Sequence, residues 1–223
     1  MIKQNVLKIR TELEQAAIKA GRDPKEITLC AATKMNDADR VRQAIAAGVD
    51  CCGENRVQEL TEKAAQNAYK GAPVHFIGHL QTNKVRQVVG KVDLIQSVDS
   101  MRLLDAINKE ASKQGICQNI LLEINVAGEE SKTGFSPEEL PQLILRASEL
   151  EGVQICGLMA IPPVSNAPGD NLPWFTKMRQ LFETVPGGTL LSMGMSDDFA
   201  DAIACGSTMI RVGTAIFGRR NYN

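Results

Sequence analysis

Lys34 closes a short apolar run, Ile27-Thr28-Leu29-Cys30-Ala31-Ala32-Thr33, and Met35, Asn36 and Asp37 follow at once. A lysine at the end of a buried strand has two uses. It can snorkel its ammonium into solvent, or its amine can stand in a pocket mouth and form a Schiff base with a carbonyl. By itself Lys34 favours the first. Two other segments bear on the choice. Ser192-Met193-Gly194-Met195-Ser196-Asp197-Asp198 reads as a strand end, a glycine turn and a helix start, and Arg211-Val212-Gly213-Thr214 ends a later strand. Glycines such as Gly194 and Gly213 let a backbone approach an anion, and backbone N–H groups and small hydroxyls at such turns hold phosphate. Either segment alone is equally an ordinary strand-to-helix turn with a serine cap. Together they favour a phosphate cup. A lysine amine opposite such a cup suits an aromatic aldehyde phosphate, with the aldehyde held as an imine. Arg211 would then face the ring nitrogen, and a permanent cation there keeps that nitrogen unprotonated, which weakens the ring as an electron sink.

The elements that must position these groups alternate along the chain. Ile2, Val6, Ile9, Leu13, Ala16 and Ala20 recur at helical spacing until Gly21 and Pro24 stop them. Strand-like runs then follow at 27–33, 50–55, 73–79, 93–98, 119–125, 153–160, 189–195 and 208–213. Helix-like segments fall between them, among them Gln81–Gly90 and Ser196–Gly206. Strands alternating with helices indicate a parallel sheet. The first turn has no glycine and no G-x-G-x-x-G occurs, so a doubly wound nucleotide fold is disfavoured. Eight units fit a single (β/α)8 TIM barrel of class α/β over residues 1–223, with an extra N-terminal helix. In such a barrel the site lies at the C-terminal strand ends, and the loops after strands seven and eight are the usual phosphate loops. Lys34, Glu54, Asn55, His79, Ser97, Asp99, Asn125, Ser192, Ser196, Arg211 and Thr214 gather there.

Composition narrows the rest. The 223 residues carry a net charge of −1 and 4% aromatics, which offers no field or stacking platform for nucleic acid. No apolar stretch is long enough to span a bilayer. The charged start lacks a signal-peptide core, and six cysteines without a C-x-x-C pair read as reduced thiols. A cytoplasmic protein with no nucleic-acid or membrane partner is expected. His75 and His79, four apart on an expected strand, point to one face. A metal there lacks a third ligand at suitable spacing, so core or rim histidines are favoured and no metal is expected. Ser-His-Asp and Cys-His arrangements are not legible.

Several longer segments carry a resemblance. Gly53–Glu59 (GENRVQE), His75–Lys84 (HFIGHLQTNK), Ser97–Ser100, Glu130–Phe135 (ESKTGF), Leu191–Phe199 (LSMGMSDDF) and Arg211–Gly218 (RVGTAIFG) resemble the pyridoxal-phosphate homeostasis family, single-domain relatives of the alanine racemase barrel. The resemblance runs in order over nearly the whole chain. It implies a fold-type III barrel that holds pyridoxal 5′-phosphate (PLP) on a lysine imine. Lys34 matches the imine lysine, Asn55 the asparagine beside the ring, and Arg211 the arginine facing the ring nitrogen. Ser192, Ser196, Gly213 and Thr214 fall in the segments that hold the phosphate, with the choice between the two serines open. Lys132 matches a lysine kept near the site, for cofactor exchange or a second molecule. Asn36 and Asp37 stand where the family usually has a basic residue and a proline.

The resemblance implies a PLP carrier and buffer without robust turnover, a monomer or weak dimer, and it leaves open delivery to PLP-dependent apo-enzymes. An amino-acid racemase is the rival, and a phosphate-binding barrel enzyme without PLP is a third reading. A racemase needs an acid–base group on each face of the substrate carbon. Two-domain racemases use a tyrosine from an added domain for the second face. Here the chain ends soon after the last strand, and its tyrosines are Tyr69, expected on a surface helix, and Tyr222.

Overall fold

The computed structural model describes residues 1–165 and 167–218. Eight parallel strands close into a barrel in sequence order. They are β1 (Thr28–Ala32), β2 (Cys51–Glu54), β3 (Val74–Phe76), β4 (Leu94–Val98), β5 (Gln118–Glu123), β6 (Val153–Met159), β7 (Leu190–Ser192) and β8 (Met209–Val212). The helices are α1 (Ile2–Lys19), α2 (Ala38–Ala46), α3 (Val57–Ala65), α4 (Met101–Gln114), α5 (Leu140–Ser148), α6 (Leu172–Phe182), α7 (Phe199–Ala204) and α8 (Thr214–Phe217). The (β/α)8 expectation holds.

Two layers follow from the period-2 alternation of each strand. One set of side chains fills the barrel: Cys30, Cys51, Leu94, Leu121, Met159 and Met209 pack together inside it. The other set packs outward against helices, as Leu29, Ala31, Ile210 and Val212 do against Ile2, Val6, Ile9, Leu13 and Ala17 of α1. The extra helix has a physical reason. Among the described residues after β8, α8 has four residues and leaves the outer faces of β8 and β1 to another element. α1 covers them, and Asn5 Nδ2 donates to the Ile216 carbonyl at 2.8 Å to pin it to α8.

The segment after β3 departs from expectation. Gln81–Gly90 reads as an α-helix, but Thr82–Gln87 forms a 3₁₀ helix. Val85, Val88 and Val89 are all buried there. β-branched residues disfavour an α-helix, and the Val85–Val88 spacing of three matches the 3₁₀ repeat.

The top of β1 and β2 is held by buried charge. The Glu54 carboxylate is fully buried. Its Oε1 accepts from Lys63 Nζ at 2.7 Å, Thr33 Oγ1 at 2.5 Å and Tyr69 OH at 3.0 Å. Lys63, on α3, also donates to the Thr33 carbonyl at 2.9 Å and to Glu59 Oε2 at 3.1 Å. Glu59 Oε2 in turn accepts from the Met35 N–H at 2.6 Å. Met35 has φ +60°, unusual for a residue with a side chain. Both neighbours of Lys34 are therefore clamped from beneath. Tyr69 is corrected by this geometry: it lies in the turns after α3, buried against Glu54, rather than on a surface helix.

Lys63→Met removes the cation and leaves Glu54 buried without a counter-charge. The expected cost is about 3–5 kcal/mol in a urea unfolding series. Adding Glu54→Gln to that variant removes the orphaned charge and is expected to restore more than half of the loss. A double variant no more stable than Lys63→Met would rule out a charge-pair role.

Candidate functional site at the barrel rim

β7, β8, β1 and β2 are consecutive around the barrel, and their C-terminal ends carry the expected groups side by side. Register places Ala31 beside Val212 and Ala32 beside Gly53. The residues one or two positions further on, Lys34, Asn55, Gly213 and Thr214, so come out on one arc of the rim. Ser196 lies in the turn between β7 and α7 on the same arc. Lys34 sits on the clamped turn, half-buried.

Gly213 meets β1 closely. A side-chain carbon at Gly213 would lie 3.3 Å from Ala32 Cβ and 3.4 Å from the Ala32 carbonyl. Its own carbonyl accepts from the N–H groups of Ile216 and Phe217, at 3.0 and 2.9 Å, to start α8. Gly194 has φ +93°, and an added Cβ would strike Ala202 Cβ at 2.6 Å. That glycine is required by the turn itself. The turn is closed by Asp198, whose Oδ1 accepts from the Met195 N–H at 2.7 Å.

Asn55 Oδ1 is buried and has no hydrogen-bond partner among the described residues. Asn55 cannot relax away, because Gly78 packs on its backbone; a Cβ at Gly78 would lie 2.3 Å from the Asn55 carbonyl oxygen. A buried acceptor without a donor costs roughly 1–3 kcal/mol, and such an atom at a rim of this kind marks where a ligand's donor belongs.

Arg211 projects into the barrel from β8 and is 5% exposed. Nη1 donates to Ser192 Oγ at 2.6 Å and Nη2 to the Ala160 carbonyl at 2.9 Å. Burial pulls the guanidinium down from its ordinary value, while Cys30, Glu123 and Asp198 act in the opposite sense. Burial likewise pushes Glu123 up, against a hydrogen bond from Thr133. The arginine stays a cation held in one orientation.

Ser192 differs from its expected place. It is fully buried, accepts from Arg211, and donates through Oγ to Gln96 Oε1 at 2.7 Å. It faces the interior because it ends β7 in register with Met209 and Met159. Ser196, by contrast, lies in the turn between β7 and α7 at the rim.

The histidines separate. β3 stops at Phe76, so His79 leaves the strand and its Nδ1 meets Asp99 Oδ2 at 2.7 Å on the rim. His75 stays buried in the barrel. Lys132 stands over a different cavity of about 240 Å³, lined by Glu123, Asn125, Thr133 and Ile161. Its Nζ is held by Glu129 and by the Pro162 carbonyl at 2.9 Å. Sequence reasoning passed over Lys63 and Glu59. Their i,i+4 spacing on α3 was the available signal, and it reads as a solvated pair.

The family model for the alanine racemase N-terminal domain matches residues 4–221. The pyridoxal phosphate homeostasis protein of Aquifex aeolicus is 40% identical over 224 residues, covering 98% of each chain. That of Escherichia coli strain K12 is 38% identical, covering all of this chain and 98% of its own. Among solved structures, PipY of Synechococcus elongatus with PLP bound superposes with a TM-score of 0.84 at 33% identity, over 98% of this chain and all of its own. With matches of this identity and coverage, the chain belongs to the pyridoxal phosphate homeostasis protein family, within the alanine racemase N-terminal barrel fold.

Proposed function

We propose that this chain binds PLP at the C-terminal rim of its barrel and acts in intracellular PLP homeostasis as a carrier and buffer, without efficient turnover. The observation that carries the reading is the orphaned Asn55 Oδ1 beside the clamped Lys34 turn, on one arc with Arg211 and the small-residue loops after β7 and β8. A rim with one buried acceptor, one lysine, one fixed cation and two close-approach glycines fits an aldehyde-bearing aromatic phosphate. The names of the relatives, and PLP in PipY, support it.

When bound, PLP supplies an aldehyde that captures amines and a ring that withdraws electrons. The chain's own residues do the rest. Lys34 presents its primary amine. Asn55 orients the ring through its unpaired oxygen. Ser196, Gly213 and Thr214 hold the phosphate, Gly213 by letting the backbone come close. Arg211, fixed by Ser192 and the Ala160 carbonyl, would face the ring nitrogen. Ser192 thus serves the arginine rather than the phosphate. An arginine gives no proton to that nitrogen, so a substrate carbanion would gain little from the ring.

For proton return on the opposite face, no tyrosine among the described residues is placed to serve as donor. Tyr69 is the one tyrosine among the described residues, and Tyr222 lies outside them. The Tyr69 hydroxyl is bonded to Glu54 beneath the β1–β2 tops, and burial beside that carboxylate pushes its pKa well up. We place the protein in the cytoplasm as a monomer or weak dimer, with PLP-dependent apo-enzymes as recipients. Its six cysteines are free, and no described helix is long and apolar enough to cross a membrane.

Three measurements test the reading. Protein with added PLP is expected to turn yellow, and borohydride followed by peptide mapping places the adduct on Lys34. A colourless protein, or an adduct mainly on Lys132, would overturn the assignment.

Gly213→Val is expected to weaken PLP binding more than Thr214→Ala. The valine presses on Ala32, two residues before Lys34, whereas the threonine loses one charge-assisted bond of ~1–3 kcal/mol. Equal affinities in a PLP titration would remove the phosphate cup from this loop.

With PLP and L-alanine in deuterium oxide, α-proton exchange is expected to be slow and D-alanine negligible. Each missing acid–base group is worth on the order of 10²–10⁴ in rate. Lys34-dependent turnover of ~1–10³ s⁻¹ would make the protein a racemase.

A further inference from the structure

The barrel interior carries donor atoms that the rim site does not use. Cys30 on β1 and Cys51 on β2 face each other in register. His75, on β3, stands beside them. One donor atom of each lies within 4.8 Å of the other two, and all three residues are buried. Cys51 Sγ is 3.6 Å from His75 Nδ1. Tetrahedral zinc, with Zn–S about 2.3 Å and Zn–N about 2.0–2.1 Å, sets an S···N edge of ~3.5–3.6 Å. This Cys51–His75 pair already stands at the separation a bound ion would impose, and Cys30 lies within reach of both.

We propose that Cys30, Cys51 and His75 form a zinc(II) site inside the barrel, separate from the rim site. Binding replaces the two thiol protons by the ion: Zn²⁺ and two S–H groups give a zinc dithiolate and two released protons, with His75 contributing a neutral nitrogen. The complex carries no net charge. That matters here, because Leu94, Leu121, Met159 and Met209 make the surroundings apolar, and a buried net charge is expensive. Copper(I) on the same ligands would leave one negative charge, so the interior selects the divalent ion.

Gln96 completes the set. Its carboxamide nitrogen lies 2.9 Å from His75 Nδ1, and its oxygen accepts from Ser192 Oγ at 2.7 Å. Turned over, the carboxamide offers its oxygen to the ion as fourth donor and its N–H₂ to Ser192 Oγ. The cluster is then second neighbour to Arg211 through Ser192.

The test uses the full chain, reduced and stripped by a chelator, then titrated with Zn²⁺ alone. Native mass spectrometry is expected to show one zinc per chain, with about two protons released per ion. X-ray absorption at the zinc edge is expected to give two sulfur neighbours at about 2.3 Å and nitrogen or oxygen at about 2.0–2.1 Å. Cys30→Ala and Cys51→Ala are each expected to lose more than the roughly 10–100-fold in affinity that a merely supporting residue contributes. Cys117→Ser, at an exposed thiol, is expected to bind as the parent does. The proposal is overturned by absence of zinc in the reduced parent protein, by a coordination shell without two sulfurs, or by undiminished binding in a folded Cys30→Ala. The absorption measurement on the parent decides the matter even where a cysteine variant does not fold. Added PLP is expected to leave zinc bound, since the two sites occupy different depths of the barrel; displacement of zinc by PLP would refute separate sites.

Discussion

The rim depends on one buried carboxylate. Glu54 is fully buried, and an uncompensated charge in that position would not survive folding. Lys63 neutralises it, and Thr33 and Tyr69 supply two further donors to the same oxygen. These donors come from β1, from α3 and from the turns beyond α3. The carboxylate therefore ties three segments to one point. The tie fixes Lys34, which has no freedom in its flanks: Thr33 is held on one side, and Met35 on the other is held in a left-handed conformation by Glu59. Strain of that kind persists only where surroundings over-determine it.

A second buried charge, Arg211, is fixed by its neighbours as Glu54 is by its own. Its guanidinium is pinned by a hydroxyl and a carbonyl rather than by a directly paired carboxylate. It keeps a fixed direction without being neutralised in place. Ser192, Gln96 and His75 continue the chain of bonds from it into the barrel. The interior is thus divided by depth: aliphatic and thioether groups fill the bulk, and a single polar file crosses them. A file that is satisfied link by link specifies one arrangement, whereas a half-satisfied one would be costly.

The alternation of strands and helices was legible because hydrophobic period and chain length left few alternatives to a closed barrel. The strand ends were legible too, since polar residues at the close of apolar runs are unusual. Depth was not legible. Ser192 and Ser196 look alike in sequence, and only the register of β7 against β6 and β8 shows that one faces the interior and the other the rim. Tyr69 reads as a helix surface residue because the end of α3 at Ala65 is not marked by glycine or proline. His75 and His79 share a face only if the strand continues, and Gly78 packing on Asn55 ends it. Cys30 and Cys51 are far apart in sequence and meet through the β1–β2 register alone. The Ser192 and Cys30–Cys51 placements are contacts between strands, where spacing along the chain carries no information.

Holding and turning over differ in what they require around the same lysine. Holding needs an amine, a satisfied ring and an anion cup, and the residues proposed for these lie on four consecutive strands. Turnover adds a second proton path on the opposite face and a ring able to accept charge. The geometry opposes both additions. The cation proposed to face the ring is an arginine without a proton to share, and the described tyrosine is committed to the carboxylate that fixes the flank of the lysine. Freeing Tyr69 for chemistry would withdraw a donor from Glu54 and loosen the turn that presents Lys34. The interaction that fixes the turn carrying Lys34 is therefore the one that keeps the described tyrosine out of reach.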